Sequence, residues 1–271
     1  MYIKAVSSLL LISFLTACAT KPLPVGIGTE VSAQFTPPAK GAVIVILPAI
    51  SAFREFEVGE EPITAMLNQE LISAGYKTYL YPKSDLVKFW ETETAPLGKR
   101  MGPQAGQDYP ELKTRLNAKL ALKLVKDFPN SLVLSQVIVP REAELSGSYA
   151  RWDGRKSMQP TSSKMHSDDN LRGSTQAISL ELIALDVNGN QQFKTFGGLL
   201  LPYKMNILAT KADTNEDALE VKSEFSGLLL RYKPDALSAK AEMREDMFKN
   251  AMEYGDGVKI ALNPLLPNTK K

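Results

Sequence analysis

The stretch Gly41–Ile50, GAVIVILPAI, decides the fold. It is continuously apolar, rich in β-branched residues, and stopped by Pro48. A strand with one face in water alternates apolar and polar residues. A run without that alternation belongs to a strand covered on both sides, in the middle of a mixed sheet. Such a sheet needs helices on its faces, and the flanking sequence supplies them.

On the C-terminal side, Pro62 opens a helix where its missing N–H has no partner to lose. Ile63, Met66, Leu67, Leu71 and Ala74 form the apolar stripe, and Gly75 closes the helix. Lys77–Pro82, KTYLYP, reads as a short strand. Asp85 is placed to cap a brief helix carrying Leu86, Phe89 and Trp90. Thr94–Gln107 is rich in Gly and Pro and reads as a loop. Glu111–Phe128 is the next helix, with Leu112, Leu116, Leu120, Leu124 and Phe128 on one side. Ser131–Val139, SLVLSQVIV, is a second apolar strand. Strand, helix, strand, helix, strand predicts an α/β fold.

The second half changes character. A strand is expected within Glu144–Met158, ending near the turn signal Asp153-Gly154. Pro160–Gly173 is a polar loop. Thr175–Val187 reads as a strand with Ile178, Leu180, Leu182 and Ala184 on one face. Asn188-Gly189 is a two-residue hairpin signal, and Gln191–Gly197 returns. Leu199–Ile207 and Leu219–Leu229 are expected to pair around a polar loop. Asp235–Tyr254 reads as an amphipathic helix through Leu237, Ala241, Arg244, Phe248 and Ala251, ended by Gly255. The expected architecture is a mixed β-sheet flanked by helices, then β-hairpins and a C-terminal helix. It occupies one domain over residues 41–262, followed by a tail at 263–271.

Upstream, Lys4 precedes Ala5–Leu15, an apolar-leaning run of eleven residues. That is too short for a hydrocarbon core of about 30 Å, and it suits a secretory signal. Leu15-Thr16-Ala17-Cys18 resembles the lipobox of bacterial lipoproteins. The resemblance implies removal of signal peptide 1–17, a diacylglycerol on the Cys18 sulfur and a fatty acyl chain such as palmitate on its amine. The mature chain would be residues 18–271, 254 in all. Stable anchoring needs more than one acyl chain, which such a Cys18 provides. Ala19, rather than Asp, implies by resemblance to enterobacterial sorting an outer-membrane protein facing the periplasm. Residues 18–40 hold Pro22, Pro24, Pro37 and Pro38 with Gly26 and Gly28, and read as an extended Pro-rich tether.

The order of elements in the body is similar to that of a group of envelope lipoproteins. The group includes the curli secretion lipoprotein, the penicillin-binding-protein activator B and the N-terminal domain of TolB. The likeness rests on Ala42–Pro48 before a helix and Gly75-Tyr76, on KTYLYP running into Ser84-Asp85-Leu86, and on Val133–Val139 leading to Gly147 and Trp152-Asp153-Gly154. A hairpin, ISLELIALDVNGNQQFKTFGG, follows before the C-terminal helix. The Pro160–Gly173 loop and the Leu199–Leu229 segment depart from the group. The resemblance implies an α/β sandwich without catalysis, acting through protein contacts.

Composition excludes several classes. The chain has 271 residues, 44% apolar and 23% charged, so it is neither wholly disordered nor a multi-span membrane protein. A formal charge of +2 gives no electrostatic case for nucleic acid. One Cys and one His exclude intramolecular disulfides and multi-Cys or multi-His zinc sites. No phosphate loop, GxSxG elbow or HExxH motif occurs, and no cofactor is expected. His166 stands beside Asp168 and Asp169 in a polar loop without fixed ligand geometry. Glu60-Glu61 and Glu142/Glu144 are the candidate carboxylate pairs for a cell-wall or polysaccharide hydrolase. Trp90, Trp152 and Tyr203 are the candidate interaction surface, since such side chains favour interfaces. Leu199–Ile207 alternates in part, as a membrane hairpin would. The leading expectation is a non-catalytic outer-membrane lipoprotein, an adaptor or assembly factor with an envelope protein partner. The alternative is a subunit of a homo-oligomeric secretion channel.

Overall fold

The computed structural model describes residues 26, 28–146, 148–159, 172–209, 219–222, 229–232 and 237–266. Cys18, His166 and most of the Pro160–Gly173 loop lie outside them. The strands are β1 (Glu30–Val31), β2 (Val43–Ile46), β3 (Ile50–Ser51), β4 (Lys77–Leu80), β5 (Leu132–Ser146), β6 (Tyr149–Trp152), β7 (Arg155–Met158), β8 (Arg172–Leu185), β9 (Gln191–Leu200), β10 (Tyr203–Ala209), β11 (Leu219–Lys222), β12 (Leu229–Tyr232) and β13 (Leu237–Met243). The helices are α1 (Glu60–Ser73), α2 (Lys83–Thr94), α3 (Pro110–Leu124) and α4 (Ala251–Ala261).

The run that decided the fold is central. β2 lies between β4 and β5 and is parallel to both. β5 and β8 are antiparallel and stay paired from Val133↔Leu185 to Ser146↔Arg172. At the Val133 end they are flanked by β2 and β4 on one side, and by β9 and β1 on the other. At the Ser146 end the flanks are β6 and β7, and β12 and β11. Two tiers therefore share two long strands. On the first tier, α1 and α4 cover one face through Ile63, Leu67, Leu71, Tyr254 and Val258 against Ile44, Ile46, Leu180 and Leu182. On the opposite face, α2 and α3 pack Leu86, Trp90, Leu116 and Leu120 on Val45, Val133 and Leu185. This is the expected α/β fold, a mixed sheet between helices.

Several local expectations change. β5 does not stop at Val139 but runs through Pro140 to Ser146. Pro140 falls where β3 has ended and β6 has not begun, so the N–H it lacks had no ladder partner on that side. Asp85 sits inside the first turn of α2, with Pro82 at the cap position. Asn188-Gly189 does not form a two-residue loop. Gly189 N–H closes a turn on Asp186 O, and the Asp186 carboxylate accepts from the backbone of Asn188 and Asn190.

The Asp235–Tyr254 helix is not formed: residues 237–243 are strand β13, paired along its length with β10. Leu237, Ala239, Ala241 and Met243 alternate with Ser238, Lys240 and Glu242, and that period of two prevails once a partner strand is present. The expected Leu199–Ile207 strand is split: Leu199 and Leu200 end β9, and residues 203–207 lie in β10 and pair with β13, while β11 pairs β12. The C-terminal helix is α4, and Gly255 lies inside it.

The ends of the body are also bound in. Where an extended Pro-rich tether was expected over residues 18–40, β1 pairs β9, and Phe35 meets the Phe193 ring edge-on at 5.2 Å. In the expected tail, Leu265 is buried and its carbonyl accepts from Tyr76 Oη at 2.9 Å.

Candidate interaction surface

The second tier is rooted on the first by a small set of side chains, and the β6–β7 turn holds the centre of it. Asp153 and Gly154 both take positive φ, 35° and 77°. That is the twist a tight hairpin turn requires, and Asp-Gly tolerates it. The turn folds back on the sheet: Gly198 N–H donates to Asp153 O at 3.1 Å, and Trp152 Nε1 donates to Ile178 O at 3.2 Å. The Asp153 carboxylate is buried. It accepts from Arg141 Nε at 3.0 Å and Nη2 at 3.1 Å, and from Ser179 Oγ at 2.6 Å. Arg141 in turn lies over the Phe196 ring, 4.5 Å from its centroid. Bidentate pairing fixes both partners in a plane, so the hairpin has one seating.

Two further arginines tie neighbouring strands. Arg155 donates to the carbonyls of Gly198 and Leu199. Burial lowers the pKa of its guanidinium, and the carboxylates of Glu253 and Asp256 oppose that shift. Arg244 follows β13 and donates to Leu201 O, Asp246 and Glu253. The hydrogen bond it donates to Glu253 is the largest influence holding it firmly protonated. Gln159 Nε2 donates to Tyr203 O at 3.1 Å at the start of β10. The β6–β7 hairpin and the β10–β13 ribbon are thus each tied to neighbouring strands by an arginine, and Arg244 also reaches Glu253 on α4.

The outer face of the second tier is polar. Glu142, Glu144 and Ser146 on β5 are exposed, as are Tyr149 and Arg151 on β6 and Lys156 and Met158 on β7. Their alternate neighbours Ala143, Leu145, Ala150 and Trp152 are buried.

The three aromatic candidates do not form one surface. Trp90 is 2% exposed in the α2–α3 core, and Trp152 is 3% exposed beneath the hairpin turn. Tyr203 is half-buried at the root of β10, where burial and then the charge of Glu55 raise its phenol pKa. The carboxylate candidates separate as well. Glu60 is buried, accepts from Ser51 N–H at 2.8 Å and pairs with Lys83, while Glu61 is exposed. Glu142 and Glu144 share a strand face, as their spacing requires, and that face is open.

In an open α/β sheet, ligands favour the crevice where strand order reverses, here between β2 and β5. Gln136 Nε2 bonds Leu47 O and Thr64 Oγ1 across it, leaving a cavity of about 20 Å³. That is room for about one water molecule. Among the described residues, no group of three acidic, His or Cys side chains is placed to hold a metal. No helix among them is long and apolar enough to cross a membrane.

Sequence reasoning found the Asp153-Gly154 turn but missed Arg141, Arg155 and Arg244. The Asp-Gly pair signals a turn. Nothing in the local sequence tells which distant arginine its carboxylate will meet.

No family model matches the sequence, and no curated protein matches it. Among solved structures, the chain is similar to a PelC dodecamer, carrying one substitution, from Paraburkholderia phytofirmans. The TM-score is 0.31 and the identity 10%, over 64% of this chain and 81% of that one. A likeness of that size leaves the dodecamer a property of that protein.

Proposed function

We propose that this chain is a lipid-anchored protein of the bacterial outer membrane that faces the periplasm and works by holding envelope proteins, without catalysis. The observation that carries the reading is the second tier of strands. It extends beyond the helices, is rooted by buried ion pairs, and presents an open polar face instead of a cleft. The Leu15–Cys18 motif supplies the location. Rigid strands at a fixed seating suit protein contact, because little conformational freedom is lost on docking. The test is photocrosslinking in living cells from positions 142 and 144, with position 122 on α3 as the control. Discrete adducts from the first two, lost in the Asp153→Asn variant, support the reading. Equal adducts from all three positions overturn it.

A second reading, a subunit of an oligomeric secretion channel, draws on the β10–β13 ribbon. Its register pairs Tyr203 with Met243, Lys204 with Glu242, Met205 with Ala241 and Ala209 with Leu237. Each strand has seven residues, against about 9–11 for a membrane-crossing strand. Ring-shaped oligomers in detergent would favour this reading over the adaptor.

A further inference from the structure

The chain between the expected anchor and the body is short. Gly26 is wedged against β9 so closely that a Cβ there would overlap the Phe196 carbonyl. From Gly28 onward the segment follows the body into β1. Only eight residue steps separate Cys18 from Gly26. At about 3.3–3.6 Å per residue, the free span is under about 30 Å even fully extended. A lipid on Cys18 therefore keeps the surface around Phe196 close to the bilayer.

The element rooted at that surface is the β6–β7 hairpin, whose turn bonds Gly198, two residues from Phe196. The hairpin is two-faced. Ala150 and Trp152 are buried. Opposite them, Tyr149 pairs across the strands with Met158, and Arg151 with Lys156. Tyr149 is 40% exposed and Met158 62%. Lys156 Nζ stands 4.0 Å from the Tyr149 ring centroid. Two cations, an aromatic ring and a flexible apolar side chain on one short face suit a phospholipid headgroup layer. Cations meet phosphates there, and an amphipathic ring sits at the boundary. Glu142 and Glu144 lie one strand inward on the same face, Glu144 directly across from Arg151, which leaves Lys156 and Met158 on β7 as the part of the face farthest from the carboxylates.

We propose that the outer face of the β6–β7 hairpin, Tyr149, Arg151, Lys156 and Met158, rests on the anionic phospholipid surface that holds the Cys18 anchor. The inference rests on the lipoprotein reading above, and its test separates the two. Cys18 is the chain's one cysteine, and lipidation blocks its sulfur. A thiol-reactive fluorophore therefore reports only an introduced cysteine.

Full-length protein carrying Met158→Cys, or Leu122→Cys on α3 as the control, is purified from membranes, labelled, and reconstituted in vesicles of phosphatidylethanolamine and phosphatidylglycerol. Spin-labelled lipids are expected to quench the label at 158 several-fold more than at 122. Adding Arg151→Glu with Lys156→Glu should abolish the difference while the anchor keeps the protein on the vesicles. Equal quenching at the two positions, or quenching at 158 unchanged by the charge reversals, overturns the hairpin contact. Labelling of the unsubstituted chain at Cys18 would overturn the lipoprotein reading itself.

Discussion

At the scale of single residues, the buried charges set the behaviour. Asp153 is 2% exposed and faces the Arg141 guanidinium. Replacing it with Asn keeps the shape and removes the charge that the guanidinium pairs with. Arg141 is partly exposed, so water relieves part of the loss. A destabilisation of about 2 kcal/mol is expected, read by urea unfolding.

Glu181 gives a pH signature. Burial alone would raise its pKa, but Lys113 and Lys194 prevail and hold it below the free value of 4.5. A carboxylate with a lowered folded pKa contributes stability that is complete above the free value. That contribution is lost as pH falls through the folded value. Thermal melts of the native chain should therefore lose stability as pH drops below about 4.5, and Glu181→Gln should flatten that acid limb. Neither carboxylate was legible as a buried ion-pair partner. A lone Asp in a turn signal and a Glu inside an apolar strand look alike until the fold brings a cation to one and two to the other.

At the scale of elements, α4 and β9 pack backbone against backbone. A Cβ on Gly197 would overlap the Gly257 carbonyl, and a Cβ on Gly257 would overlap that of Gly198. Gly257→Ala gains about 1 kcal/mol of helix propensity. It meets fixed backbone, not a movable side chain, and overpacking of that kind costs about 1–3 kcal/mol or more. A net loss is expected, seen as a lower urea midpoint. Asn250 caps α4 by accepting from Met252 N–H at 3.0 Å. Asn250→Ala should cost about 1 kcal/mol by the same measurement.

Elements with one unambiguous pattern were legible: the unbroken apolar run GAVIVILPAI, the α1 stripe and the alternating Ile178–Ala184 face. β13 was not, because Leu237 and Ala241 fit a helical spacing and a strand alternation equally well. The choice between them is made by β10, distant in sequence. The extension of β5 past Pro140 was hidden for a related reason. A proline reads as a stop unless the neighbouring strands are known to leave a gap beside it.

At the scale of the whole molecule, the sequence pattern conveyed the α/β body and hid the second tier. Helices announce themselves by their own stripes. A tier made by prolonging two strands and pinning hairpins to them depends on contacts far apart in the chain. The same applies to the N-terminal segment. Its prolines suggest a spacer, yet residues 28–40 follow the body, with β1 on β9 and Phe35 on Phe193. Under the proposed function, a lipid on Cys18 holds this body near the membrane, with the strand tier as its working surface.

The central claim is the anchor at Cys18. The most direct test is the intact mass of the protein extracted from membranes. The account predicts a chain beginning at Cys18, 254 residues long, carrying a diacylglycerol and an amide-linked acyl chain. A mass matching an unacylated chain, whether it begins at Met1 or at Cys18, would contradict it.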